Sequence, residues 1–140
     1  MTKSPIKRIN HLAIVVNDID KALTFWRDAL GLELEQMQEV ESQAAKIAIL
    51  PVQDSEIELV EPITEDSGLK RFIEKRGPGI HHICLEVDDI EAMLERLKTE
   101  NVRLINDTPQ ADGIPGRKFA FIHPKSTFGV LVELYQILEE

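Results

Sequence analysis

Residues 9–23 read INHLAIVVNDIDKAL, and residues 80–94 read IHHICLEVDDIEAML. An offset of 71 residues lays Ile9 on Ile80, His11 on His82, Val16 on Val87, Asp18 on Asp89 and Ile19 on Ile90. The second half is therefore read as a copy of the first. Related by a pseudo-two-fold axis, two copies of one module bring equivalent residues face to face. A histidine at one repeated position then becomes a pair of histidines in space.

Outward from the repeat, each copy opens with a β-branched apolar run that predicts a strand, followed by Asp at a helix N-cap position. In the first copy Ile19, Ala22, Leu23, Phe25, Trp26 and Leu30 recur near helical spacing over 18–30, and Gly31 suits the helix end. Strands are expected at 32–39, 44–51 and 55–61. Pro62 opens a linker with a short helix at 66–76, closed by Gly77, Pro78 and Gly79. The second copy repeats the order: strand 80–87, helix 89–99 and strands near 102–105, 117–123 and 128–135. The fold class is thus α+β, with two tandem βαβββ modules. Module one spans about 8–61, the linker 62–79 and module two about 80–136, all in one domain over 1–140. Each module alone is too small for a secure core, so the two should share one.

Strand parity sorts the faces. Asn10, Leu12, Ile14 and Val16 lie on the helix side of the first strand, with His11, Ala13 and Val15 opposite. In the second copy Ile83, Leu85 and Val87 mark the helix side, with His81. His82, Cys84 and Glu86 face the other way. Parity and repeat both pair His11 with His82.

The last long strand of each module buries a carboxylate in an apolar run: Glu58 in IELV and Glu133 in VLVELYQ. An ionised carboxylate there needs a partner. Two histidines with two glutamates, one of each per module, make a mixed nitrogen and oxygen donor set suited to a divalent first-row metal. Cys84 reads as a small buried thiol, and His123 in HPKS as structural or substrate-facing. Lys46, in AAKIAILP, is either a surface lysine or a group pointing into the cleft.

The net charge of −9, from 16 basic and 25 acidic residues, argues against a nucleic-acid binder. Basic residues cluster at Lys70, Arg71, Lys75 and Arg76, and again at Arg117, Lys118 and Lys125. The single cysteine forbids an internal disulfide. No stretch approaches the ~20 apolar residues of a membrane helix. The default expectation is a cytoplasmic protein with no membrane partner.

At these residues the chain resembles the vicinal oxygen chelate superfamily and, within it, the methylmalonyl-CoA epimerase family. INHLAIVVNDIDKAL, IELVEP, GPGIHHICLEVDDIEAML and FIHPKSTFGVLVELYQ carry the resemblance, which spans essentially 8–136. It implies paired βαβββ modules in a cupped mixed sheet, a homodimer and an acyl-CoA substrate. It implies a divalent ion at His11, Glu58, His82 and Glu133, with cobalt first and manganese, nickel or zinc as alternatives. It assigns Glu133 a second role as acid/base. The third-strand glutamate that serves some epimerases as the other acid/base matches Lys46 here. Glu41 and a metal-bound water are the alternatives to Lys46. A lactoylglutathione lyase, an extradiol-type dioxygenase and a metal-free binding protein are the rival readings. Val15 stands where bacterial lyases usually carry arginine, and the second glutamate exceeds the dioxygenase ligand set. Metal-free members typically lack the four donors.

Overall fold

The structure is a computed structural model that describes residues 5–138. Its strands are β1 (Ile6–Val15), β2 (Gln36–Val40), β3 (Ala45–Val52), β4 (Ser55–Pro62), β5 (Gly79–Val87), β6 (Gln110–Ala111), β7 (Arg117–Ile122) and β8 (Val132–Ile137). Its helices are α1 (Ile19–Leu23), α2 (Gly68–Arg76) and α3 (Ile90–Thr99). The chain divides into two compact units, His11–His81 and the pair of segments Met1–Asn10 and His82–Glu140. The unit boundaries fall inside β1 and β5.

In the 11–81 unit the strands neighbour one another in the order β2-β3-β4-β1. β1 and β4 run parallel, with Ala13 opposite Glu58, while β3 lies antiparallel to both β2 and β4. The two sheet faces bury different sets. Val16, Ile19, Leu23, Ala48, Leu50 and Leu59 pack on the helix side, joined by Ile14 and Trp26. Ala13, Ala45, Ile47 and Val60 pack on the opposite face, where Leu69 of α2 joins them. This is the parity that the alternation of apolar residues predicts. Asp18 caps α1 by accepting from the Lys21 N–H at 3.2 Å. The helical stretch expected over 18–30 is real but changes hand-hold midway: α1 passes into a wider π turn over Thr24–Ala29, and Gly31 ends it at φ +93°. At that φ a side chain is strained, so glycine suits the stop.

The other unit repeats the plan as β5-β8-β7-β6, with residues 6–10 of β1 beside β5. β5 and β8 are parallel, and β7 is antiparallel to β8. Val87, Ile90, Met93, Leu94, Ala120, Ile122 and Leu134 form its core under α3. Asp89 caps α3 through the Ala92 N–H at 3.1 Å, the copy of the Asp18 cap. The strand expected at 102–105 shrinks to one bridge, Leu104 to Ile122, and the edge strand forms later at Gln110–Ala111. Asn101 at φ +61° and the proline and aspartates of 106–112 bend the chain away from a continuous ladder.

One device recurs in both units. The Ile19 N–H at the start of α1 donates to Glu61 Oε1 at 2.8 Å, and the Ile90 N–H at the start of α3 donates to Gln136 Oε1 at 2.7 Å. Glu61 and Gln136 each stand three residues after the glutamate that meets a histidine, Glu58 in one strand and Glu133 in the other. Each ties the end of that strand to the helix that follows the histidine strand. Replacing Gln136 by leucine orphans a helix N–H, and should lower stability by ~1–2 kcal/mol in urea unfolding. An unchanged midpoint would show that solvent satisfies the N–H instead.

Candidate metal centre

Each unit presents one histidine and one glutamate on the sheet face away from its helix. In the 11–81 unit, His11 Nδ1 stands 3.3 Å from Glu58 Oε2. In the other, His82 Nε2 stands 3.0 Å from Glu133 Oε1. Parallel pairing explains both contacts. Glu58 sits opposite Ala13, two residues beyond His11, and Glu133 sits opposite Cys84, two residues beyond His82. The duplication thus preserves register as well as sequence.

Cys84 occupies the Ala13 slot, and both residues are buried (0% and 1% exposed). Cys84 pairs with Glu133 across the parallel strands, so its thiol shares the face of that carboxylate. The ring of His81, the neighbour of His82 in sequence, stands edge-on to Phe72 of α2 at 4.9 Å. His123 accepts from the Lys125 N–H through its Nδ1 at 3.1 Å. Burial, then Arg103 and Lys125, lower its pKa.

Of the two settings expected for Lys46, surface or cleft, the strand register favours the first. Its neighbours Ala45 and Ile47 pack on the face that holds Ala13 and Val60. Lys46 therefore belongs to the other face, opposite Glu61, whose carboxylate reaches α1. In an eight-residue strand, alternation gives the lysine no route to the His11 face. The sequence match to an acid/base position aligned the strand without fixing its phase.

The imidazole–carboxylate spacing fits a metal. Two donors each ~2.1 Å from an ion and at right angles to it stand ~3.0 Å apart. The separations of 3.0 and 3.3 Å are of that size. His11, Glu133 and Cys84 are among the described residues whose donor chemistry could hold a divalent ion.

Two polar groupings on this face were not foreseen. Glu86, 1% exposed, accepts from Arg8 Nη1 at 2.8 Å and Asn10 Nδ2 at 3.2 Å. The signal was present, since Glu86 lies in the apolar run ICLEV just as Glu133 lies in VELY. Tyr135, in register with Glu86 and two residues past Glu133, donates its hydroxyl to Asp112, with Arg117 beside it. Burial, then the Asp112 hydrogen bond, push its pKa far up, so it stays protonated.

The chain matches the model of the glyoxalase/bleomycin resistance protein/dioxygenase superfamily over residues 10–121. It belongs to that superfamily, whose tandem βαβββ fold it shares. It is 38% identical over 133 residues to the ethylmalonyl-CoA/methylmalonyl-CoA epimerase of Cereibacter sphaeroides, covering 94% of this chain and 99% of that one. The crystal structure of methylmalonyl-CoA epimerase from Mycobacterium tuberculosis superposes with a TM-score of 0.86 at 34% identity, covering 99% and 93% of the two chains. A methylmalonyl-CoA epimerase in complex with methylmalonyl-CoA and NH4+ superposes with a TM-score of 0.83 at 32% identity, covering 95% and 96%. Within the superfamily the chain belongs to the methylmalonyl-CoA epimerase family.

Proposed function

We propose that the protein interconverts the 2R and 2S forms of methylmalonyl-CoA, with His11, Glu58, His82 and Glu133 holding one divalent ion. The observation that carries this reading is the repeated register: each unit sets one imidazole beside one carboxylate in the same way. Family membership supplies the reaction class. The mixed donor set suits cobalt, with manganese, nickel or zinc able to replace it. By the same resemblance we propose a cytoplasmic homodimer.

When bound, the ion supplies Lewis-acid polarisation of the substrate's thioester and carboxylate oxygens, where negative charge grows as C2 loses its proton. The protein must supply the rest. A carboxylate has two oxygens, so Glu133 can ligate with one and exchange the C2 proton with the other. Inversion needs a second proton carrier on the opposite face of C2. Lys46 sits on the wrong side of its strand for this, which leaves Glu41, in the turn Glu41–Gln43 that leads into β3, as the protein residue to test. The apolar neighbours of the donors, Ala13 and Val60 in one unit and Phe121 in the other, keep water from competing for the proton.

The direct test is exchange. Metal-loaded protein in heavy water should wash deuterium into C2 of methylmalonyl-CoA; failure to exchange would reject the epimerase reading and leave the fold intact. Lys46→Met should keep the exchange rate within about threefold of the parent, as surface-strand changes away from a site do. A hundredfold loss would return Lys46 to the chemistry.

A further inference from the structure

Charge alone nominates three cations for the anionic end of an acyl-CoA: Arg117, Lys118 and Lys125. Their surroundings separate them. Lys118 reaches Glu91 of α3 at 3.2 Å, on the helix side. Lys125 lies in the turn Pro124–Ser126, past the other end of β7. Arg117 alternates with Phe119 and Phe121, on the face that carries His82 and Glu133, and its side chain lies beside Tyr135 there.

An aromatic floor joins the metal pair to this arginine. The His82 and Phe121 rings meet edge-on at 5.4 Å, Phe119 follows at 5.9 Å, and Tyr135 pairs with Phe119. Four residues of strand separate Phe121 from Arg117, a span of about 13 Å. The pantetheine arm from sulfur to its first phosphorus is about a dozen bonds, the chain length of roughly four residues, or about 13–14 Å extended. Its gem-dimethyl carbon and methylenes suit an aromatic surface. Tyr135, anchored by its hydrogen bond to Asp112, stands beside the Arg117 side chain, and the Arg117 backbone N–H donates to the Ile114 carbonyl at 3.1 Å. The Asp112 carboxylate tempers the positive charge, and Glu86 is already engaged by Arg8 and Asn10.

We infer that Arg117, at the end of the Phe121–Phe119–Tyr135 strip, is the binding residue for the pyrophosphate of the acyl-CoA. This rests on the acyl-CoA reading above and assigns it a second anchoring point. Calorimetry with CoA, dephospho-CoA and pantetheine on the full chain tests it without turnover. Arg117→Gln should weaken CoA and dephospho-CoA alike by roughly tenfold or more, the scale of a charge-assisted contact, and leave pantetheine unchanged. Arg117→Lys should restore part of the loss, and Lys118→Gln should bind as the parent does. Equal weakening of pantetheine, no weakening of CoA, or weakening only where the 3′-phosphate is present would each overturn the assignment. So would a parent protein that fails to bind CoA. A parent that binds CoA through Arg117 but never exchanges C2 would sink the epimerase reading alone.

Discussion

Glu133→Gln is expected to slow deuterium exchange at C2 by about a thousandfold or more, on the scale of removing an electrostatic partner from a reacting centre. The substitution keeps shape and one oxygen but loses the charge that binds a cation and the basicity that takes a proton. Both proposed roles fail together. Stability should stay within about 1 kcal/mol of the parent, because Glu133 faces His82 and lies outside the apolar cluster beneath α3. Exchange assays beside thermal melts measure the two effects separately. A variant that keeps more than a tenth of the rate would show that this carboxylate neither holds the ion nor moves the proton.

Leu59→Ala is expected to do the reverse. Leu59 follows Glu58 directly, yet points to the helix side, where it is fully buried among Ile19, Leu23, Ala48 and Leu50. Removing its branched end leaves a cavity in a packed interior and should cost about 2–5 kcal/mol. The melting temperature should fall on the order of 10 °C. Below the transition, exchange per folded molecule should stay near the parent rate, since the residue opposes the donors across the sheet. A loss below 1 kcal/mol would contradict the packing assigned to the 11–81 unit.

Why the fold and the paired donors were legible in the chain follows from how the duplication constrains it. Copying INHLAIVV onto IHHICLEV preserves both the period of two and the cap at Asp18 or Asp89, so strand, helix start and histidine face can be read together. His82 separates from His81 by parity alone, and it is His82 that stands 3.0 Å from Glu133. Lys46 stayed open between surface and cleft because its neighbours Ala45, Ile47 and Ala48 are apolar on both faces, so alternation there carries no phase. The edge strand at 110–111 escaped notice because two residues of pairing leave no periodic signal. Arg117 could not be sorted from Lys118 until the β7–β8 register was known, since adjacent residues differ only by face. The tie from Gln136 to the start of α3 joins residues far apart in sequence and has no local signature.

The central claim is tested most directly by counting ions. Metal-stripped protein titrated with cobalt should bind one divalent ion per chain, and His11→Ala, Glu58→Gln, His82→Ala and Glu133→Gln should each weaken that single event by orders of magnitude. If variants in one unit left binding untouched, or each unit bound its own ion, the four donors would not share a centre and the account would be contradicted.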